Sequence, residues 1–278
     1  MEDRIYGLGV EHRKKEYLMN KEITFEECKR LMVDIMANVA HFCDKHDIRY
    51  SLSYGTLIGA IRHKGFIPWD DDIDIIMWRD DYERFVSTYK DERYQIIDGS
   101  FNINHSHIRV SDQKTILRLD ELRGQFYKYG LWIDVFPIDK VPDSEKKYNR
   151  FLKKLWFLFK MQSLGEVHRK GFINIKKLVY FICRPFHSFF GKWALKTMKK
   201  YNNSNTHSVS DLGSWYNTPL HFPYSYMDEY VDVEFEGHKF KAIKQYDAFL
   251  RGMYGDYMQF PPIEMQKPHH SYTAYWRE

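Results

Sequence analysis

Residues 68–78, PWDDDIDIIMW, constrain the fold more tightly than any other stretch of the chain. Asp72-Ile73-Asp74-Ile75 alternates acid and isoleucine, which is the period of a β-strand. Side chains at i and i+2 of a strand share a face, so Asp72 and Asp74 project together while Ile73 and Ile75 enter a core. Two carboxylates held that close repel unless a cation lies between them, and an oxygen-seeking Mg²⁺ or Mn²⁺ suits that place. Asp70 and Asp71, in the turn just before, add to the negative field. An Asp-x-Asp by itself more often marks the solvated face of an edge strand, so its neighbours decide.

Two neighbours bear on it. Upstream, IRYSLSYG reads as a strand that runs into Gly55-Thr56 and a short helix, TLIGAIRHKG. Backbone amides and a hydroxyl at such a turn suit a phosphate. Downstream, Asp134 stands alone in the apolar run LWIDVFPID, which reads as a central strand stopped by Pro137. A lone acid in a buried strand is costly without a partner, and a metal shared with Asp72 and Asp74 would supply one. Around these lie a helix at about residues 25–46 with Thr24 and Glu27 at capping-box spacing, and a helix RDDYERFVSTYK. YQIID and HIRVS read as strands, VDVEFEG as an edge strand or hairpin arm, and QYDAFLRGMYG as a helix ending at Gly255. The fold class expected is α/β (α+β), a mixed sheet bearing the acids with helices packed against it.

Charge divides the chain further. Residues 150–200 carry 13 Lys and Arg against the single acid Glu166, while the remainder holds 29 basic and 37 acidic residues. Eleven aromatic residues are interleaved with those cations. The expected organisation is a catalytic core over 1–143, a basic aromatic helical insertion over 144–203, and a C-terminal part over 204–278 that completes the core. Within the insertion, Phe151, Leu155, Leu158 and Phe159 form one apolar helical stripe. Such a helix can lie on an anionic membrane surface or cover the core and turn its lysines to solvent. No known nucleic-acid motif accompanies it, and a net charge of +4 is too small to imply one. No apolar run is long enough to span a membrane and the charged N-terminus does not read as a secretory signal. Cys28, Cys43 and Cys183 are odd in number and far apart, which fits reduced thiols in the cytoplasm rather than a disulfide framework.

Gly-Thr, a helix, Asp-x-Asp on one strand and Asp on another together resemble the nucleotidyltransferase arrangement. More specifically, YGTLIGAIRHKGFIPWDDDIDI resembles the signature of the LicD family of phosphocholine and related phospho-alcohol transferases, which is similar to the fukutin-type transferases. LWIDVFPID resembles that family's second acidic strand, and FKAIKQYDAFLRGMYGDYMQFPP its closing motif. The resemblance covers about residues 24–140 and 222–270. It implies that Asp72 and Asp74 are the metal-binding pair, that Asp134 is the third acid, and that Gly55 and Thr56 form the turn beside the donor phosphates. The implied donor is a CDP-activated alcohol, CDP-choline foremost. The implied acceptor is a cell-surface glycan of teichoic acid, lipopolysaccharide or capsule type; a lipid-linked one made at the inner face of the membrane would suit an insertion that lies on that membrane. Asp134 could accept the proton of the attacking hydroxyl or serve only as a metal ligand.

Other residues carry two readings each. Arg62 could hold a phosphate, as could His63 and Lys64 with less reason, or all three could simply favour a helix end. Arg109 and Asp112 could orient substrate or pair with each other. Trp69 and Tyr54 could stack on a base or cage a choline, or belong to the core. His269-His270 lacks ligand spacing to any acid, and the YGDY of residues 254–257 reads as the shaping of a helix end. Two other functions use the same residues: a nucleotidyltransferase placing NMP from an NTP, and a non-catalytic membrane-associated scaffold for glycan assembly.

Overall fold

The computed structural model describes residues 21–98, 107–119, 125–127, 129–166, 184–213, 221–268 and 272–277. Cys183 and His269-His270 lie outside the described residues. Helix α1 (Phe25–Lys45) begins where the spacing predicts it, with the Thr24 hydroxyl accepting the amide of Glu27 at 3.2 Å. Its buried face, including Met32, Ile35, Met36 and Val39, lies in the main core. Strand β2 (Ser51–Leu52) is shorter than IRYSLSYG suggests and leads through Ser53 into α2 (Tyr54–Arg62).

The acid-bearing strands sit at the centre of a seven-stranded mixed sheet. Strand β3 (Asp74–Trp78) pairs antiparallel with β2 and parallel with β8 (Trp132–Val141). Helix α3 (Arg79–Thr88) follows β3 directly. The far flank of β8 is shared: β5 (Ile108–Asp112) covers residues 132–135 and β9 (Ser208–Asp211) covers 138–141, both antiparallel. Strand β4 (Tyr94–Asp98) extends the sheet beyond β5, and β10 (His221–Pro223) extends it beyond β9.

Pro137 does not end β8, contrary to the expectation from its residue type; the strand runs four residues past it. The amide of Asp134 points toward β3, where it meets the Ile73 carbonyl at 2.8 Å. Alternation therefore turns the nitrogen of residue 137 to the other flank, into the gap between β5 and β9, where no ladder bond is lost.

A second sheet joins β1 (Glu22–Ile23), β13 (Tyr272–Trp276), β6 (Thr115–Leu119) and β7 (Gln125–Tyr127). Strands β11 (Tyr230–Phe235) and β12 (His238–Ile243) form the hairpin read from VDVEFEG. Helix α6 (Tyr246–Tyr254) stops at Gly255, whose φ of 68° is easy only for glycine. Between β8 and β9 run α4 (Glu145–Glu166) and α5 (His187–Met198). Their inward residues, with Phe151, Leu155, Leu158 and Phe159 among them, form a separate apolar cluster with Ala194 and Met198. The stripe read from the sequence thus covers a core. Among the described residues no helix is long and apolar enough to cross a membrane.

Candidate functional site

The site grows from the register of β3 on β8, which places Asp74 directly opposite Asp134. Asp74 is held from behind: its amide donates to Thr56 Oγ1 at 2.9 Å, and its carbonyl accepts the Ser53 amide at 3.0 Å. Thr56 is fully buried at the start of α2, so its hydroxyl fixes the first residue of the acid strand. The first bond of α2 closes from Leu57 N to Ser53 O at 3.0 Å, which leaves the three preceding amides outside the helical ladder. Ser53 Oγ, buried at the same helix end, has no hydrogen-bond partner. Tyr54 takes a φ of 49° to enter the helix.

The strand ladder begins at Asp74, so Asp72 belongs to the turn that precedes it. There the chain gathers a tighter group: ligand oxygens of Asp70, Asp71 and Asp72 lie within 4.8 Å of one another. Asp70 and Asp71 are buried, and Asp70 Oδ2 has no hydrogen-bond partner. Burial, with the adjacent Asp71 charge, raises the Asp70 carboxyl to about 6 despite its hydrogen bond with Asp72 and the nearby Lys29. Gly55 abuts this group, since a Cβ there would fall 2.6 Å from Asp70 Oδ2. A small pocket beside it is lined by Met32, Asp71, Asp72, Leu131, Trp132 and Tyr272.

Asp74 and Asp134 face each other but stand in opposite electrostatic surroundings. Loss of solvation and then the charges of Asp72, Asp134, Asp70 and Asp211 push the Asp74 carboxyl well above its ordinary range. Burial would raise Asp134 as well. The Arg109 guanidinium, with His107, reverses that and holds Asp134 well below the usual carboxylate range. Arg109 Nε donates to Oδ1 at 2.8 Å, His107 Nε2 lies 3.1 Å from Oδ1, and Trp132 Nε1 donates to Oδ2 at 3.0 Å. The rings behind these donors are themselves packed: Arg109 lies over Trp132 at 4.2 Å, and His107 stacks on Phe136 at 4.6 Å.

The structure therefore brings Gly55, Thr56, Asp72, Asp74 and Asp134 into one region and leaves Arg62 engaged elsewhere. Arg62 donates to the carbonyls of Tyr257 at 2.7 Å and Gln259 at 3.3 Å and lies over the Phe260 ring at 4.6 Å. It ties the end of α6 to α2. His63 and Trp69 also pack on Phe260, and the Lys64 carbonyl accepts the Glu236 amide at 2.9 Å. Arg109 and Asp112 do not pair with each other: Arg109 serves Asp134, and Asp112 accepts from Arg93 at 3.1 and 2.7 Å. In YGDY, Gly255 ends α6 and the Tyr257 hydroxyl donates to Asp247 at 2.9 Å, a structural use.

Two participants escape the sequence reading. His107 lies a strand away from the acid it serves. Asp211, at the end of β9, adds its charge to the field at Asp74 and accepts a 2.5 Å hydrogen bond from the Tyr54 hydroxyl. Only the Val209-x-Asp211 alternation hints at a half-buried acid there, and that pattern is common.

Asp70, Asp71, Asp72, Asp74, Asp134 and Asp211 thus gather in one region, with Asp134 held by Arg109, His107 and Trp132. The orphaned Asp70 oxygen, the close Asp70–Asp71–Asp72 oxygens and the raised Asp74 carboxyl all fit a divalent cation with oxygen ligands.

Comparison with known proteins places this geometry. A family model described as LicD/FKTN/FKRP, nucleotidyltransferase domain, matches residues 47–179, which include α2, β3 and β8. An uncharacterised protein of Rickettsia prowazekii is 40% identical over 180 residues, covering 55% of this chain and 66% of that protein. The lipopolysaccharide cholinephosphotransferase LicD of Haemophilus influenzae is 32% identical over 283 residues, covering 92% of this chain and 99% of that protein. Similarity at that level along nearly the whole of both chains, with the acids on the matched strands, means that this chain belongs to the LicD family.

Proposed function

We propose that this protein transfers phosphocholine, or a closely related phospho-alcohol, from a CDP-activated donor to the hydroxyl of a cell-surface glycan, in a divalent-metal-dependent reaction at the inner face of the cell membrane. The observation that carries the reading is the convergence of the Asp70–Asp71–Asp72 oxygens with the in-register Asp74–Asp134 pair beside the open end of α2. The cholinephosphotransferase activity named for the Haemophilus relative supports the choice of alcohol.

In this reading Asp70, Asp71 and Asp72, with Asp74 beside them, would hold Mg²⁺ or Mn²⁺. Such an ion, when bound, supplies positive charge against the donor pyrophosphate and the departing CMP. The start of α2, whose helical ladder opens at Leu57, and the Ser53 hydroxyl, which has no hydrogen-bond partner, would face a phosphate. The acceptor oxygen forms a bond to the phosphorus of the phospho-alcohol, the bond from that phosphorus to CMP breaks, and the hydroxyl proton passes to a carboxylate. Three donors and a depressed pKa make Asp134 a weak proton acceptor, against the first of the two roles read from the sequence. Its role here is to keep a fixed negative charge next to Asp74. Asp74, whose carboxyl is raised by burial and by the charges of Asp72, Asp134, Asp70 and Asp211, is a place where a cation would relieve like-charge repulsion.

The test is CMP release from CDP-choline by the purified protein, with and without Mg²⁺ or Mn²⁺, alongside Asp72→Ala and Asp74→Ala. Metal-dependent CMP that disappears in both variants is the expected result. Pyrophosphate release from an NTP, with no CMP from any CDP-alcohol, would assign the site to nucleotidyl transfer instead. Equal CMP release by wild type and variants would remove these acids from the chemistry.

A further inference from the structure

Residues 150–166 and 184–200 carry more aromatic surface than their core needs. The inward stripe of α4 and α5 is fully occupied by the Phe151–Leu155–Leu158 cluster with Ala194 and Met198. On the opposite side, Phe157 is 55% exposed, Phe186 53%, Phe189 58% and Trp193 39%. Phe186, Phe189 and Trp193 follow one another at i, i+3 and i+7, so they share a face. Ring contact between Phe189 and Trp193 at 5.7 Å makes them continuous. Lys154 of α4 crosses to lie 5.3 Å over the Trp193 ring, and Phe157 stands one turn from Lys154. The two helices thereby present a joined outer surface of large rings.

Exposed lysines stand on both helices. Lys153, Lys154 and Lys160 on α4 and Lys192 and Lys196 on α5 are exposed around the rings. The sequence offers one acid, Glu166, between residues 150 and 200. A second copy of this chain meeting the same face would set lysine against lysine, which disfavours a symmetric contact. A soluble acidic protein partner would match the lysines but would give no use for four exposed large rings among them. Rings at the depth of the headgroups with lysines reaching anionic phosphates match the composition of an interfacial helix pair.

We infer that the outer face of α4 and α5 docks on an anionic lipid bilayer, with Phe157, Phe186, Phe189 and Trp193 entering the interface and the surrounding lysines contacting lipid phosphates. The inference deepens the transferase reading by stating how the enzyme meets a membrane-bound acceptor, yet its test requires no activity. The full-length protein is mixed with vesicles of phosphatidylcholine alone or with one quarter phosphatidylglycerol, and vesicle-bound protein is separated by flotation. Binding only to the anionic vesicles, weakening as salt is raised, is expected. Lys153→Gln, Lys154→Gln and Lys160→Gln together should weaken it about fivefold per lysine, on the order of a hundredfold in all. Phe157→Ser with Phe189→Ser should abolish binding at moderate salt, while thermal melts followed by circular dichroism report that both variants remain folded. Absence of binding, equal binding to neutral vesicles, or undiminished binding by the folded variants would overturn the inference. So would self-association or capture of single-stranded RNA that is lost in the Phe157/Phe189 variant while vesicles are ignored. None of these results would alter CMP release, so the transferase reading stands or falls separately.

Discussion

Gly55→Ala isolates what the glycine beside the acids is for. A Cβ at this position would lie 2.6 Å from Asp70 Oδ2 and 3.3 Å from its Cγ. Ordinary contact begins near 3.4 Å, so the carboxylate must retreat by roughly 0.8 Å. Asp70 is buried and cannot swing freely into solvent. Two effects on stability oppose each other. Replacing glycine in a helix gains about 0.5–1 kcal/mol, and forcing a methyl into a packed site costs about 1–3 kcal/mol. The net loss is therefore modest, about 0–2.5 kcal/mol. The effect on the site is larger, because misplacing a functional group by about 1 Å can cost on the order of a hundredfold in rate.

The assay is Mn²⁺ binding by electron paramagnetic resonance on the purified protein, paired with urea unfolding. Weaker Mn²⁺ binding in Gly55→Ala with a near-normal urea midpoint is expected, and CMP release should fall with it. A cycle with Asp70→Ala sharpens the test. Once the carboxylate is gone, Gly55→Ala meets no clash and should stabilise the protein by up to about 1 kcal/mol. If Gly55→Ala destabilises equally in both backgrounds, the clash with Asp70 is not its cause. If Mn²⁺ binding is unchanged, Asp70 is not placed as argued.

Asp139→Ala should cost about 3–5 kcal/mol in urea unfolding, because it strands the buried Arg79 guanidinium that Asp139 accepts from at 2.9 and 2.5 Å. Thr56→Val should cost about 1–3 kcal/mol by leaving the Asp74 amide without its acceptor, and Thr56→Ser should recover most of that loss. Burial pushes the Cys28 thiol up to about 12 and raises Cys43 as well, so no more than one of the three thiols should react with a disulfide reagent until the protein is unfolded. At Asp91, burial would raise the pKa, but hydrogen bonds from the Tyr94 and Arg93 amides and from Asn38 bring it below the ordinary value. A depressed folded pKa gives stabilisation that is complete above the unfolded value of about 3.9 and fades as pH falls through the folded one. The gap in stability between wild type and Asp91→Asn should accordingly close in acid.

What could be read from the sequence was local. The start of α1 at Thr24, the stop of α6 at Gly255, and the strand that carries Asp74 with Ile75 turned to the core all depend on residues within a turn of one another. The aromatic-basic insertion was equally visible, since composition alone marks it. What stayed hidden depends on register between distant strands. Nothing near Asp134 announces that Arg109 and His107 will be its donors, because they reach it through the β5–β8 pairing. Nothing near Asp211 announces Tyr54, 157 residues away. Arg62 looked like a phosphate ligand for the same reason: its carbonyl partners at 257 and 259 come from the far end of the chain. The split of α4 into a core stripe and a second, exposed set of rings also needed the packing partner, α5, to be in place.

Register is also what the site most depends on. Strand β8 sets Asp134 against Asp74 on one flank, and on the other against Arg109 and, farther along, Asp211 near Ile138. A slip of one residue would turn every one of these side chains to the opposite face. Several devices oppose a slip. Pro137 fits only where its nitrogen meets the gap between β5 and β9. Thr56 ties Asp74 to α2 from outside the sheet. Five residues past each acid, Arg79 and Asp139 lock the same two chain segments with two hydrogen bonds, and Asn202 adds a third donor to Asp139 at 2.7 Å. A buried ion pair adds little net stability over well-packed apolar residues, but it tolerates only one alignment of its partners. Replacing both members, Arg79→Met with Asp139→Leu, should therefore restore most of the stability that Asp139→Ala removes. If the pair also guards register, the double variant will bind Mn²⁺ more weakly than wild type at equal stability. If Mn²⁺ binding is fully kept, Pro137 and Thr56 suffice to hold the acids in place.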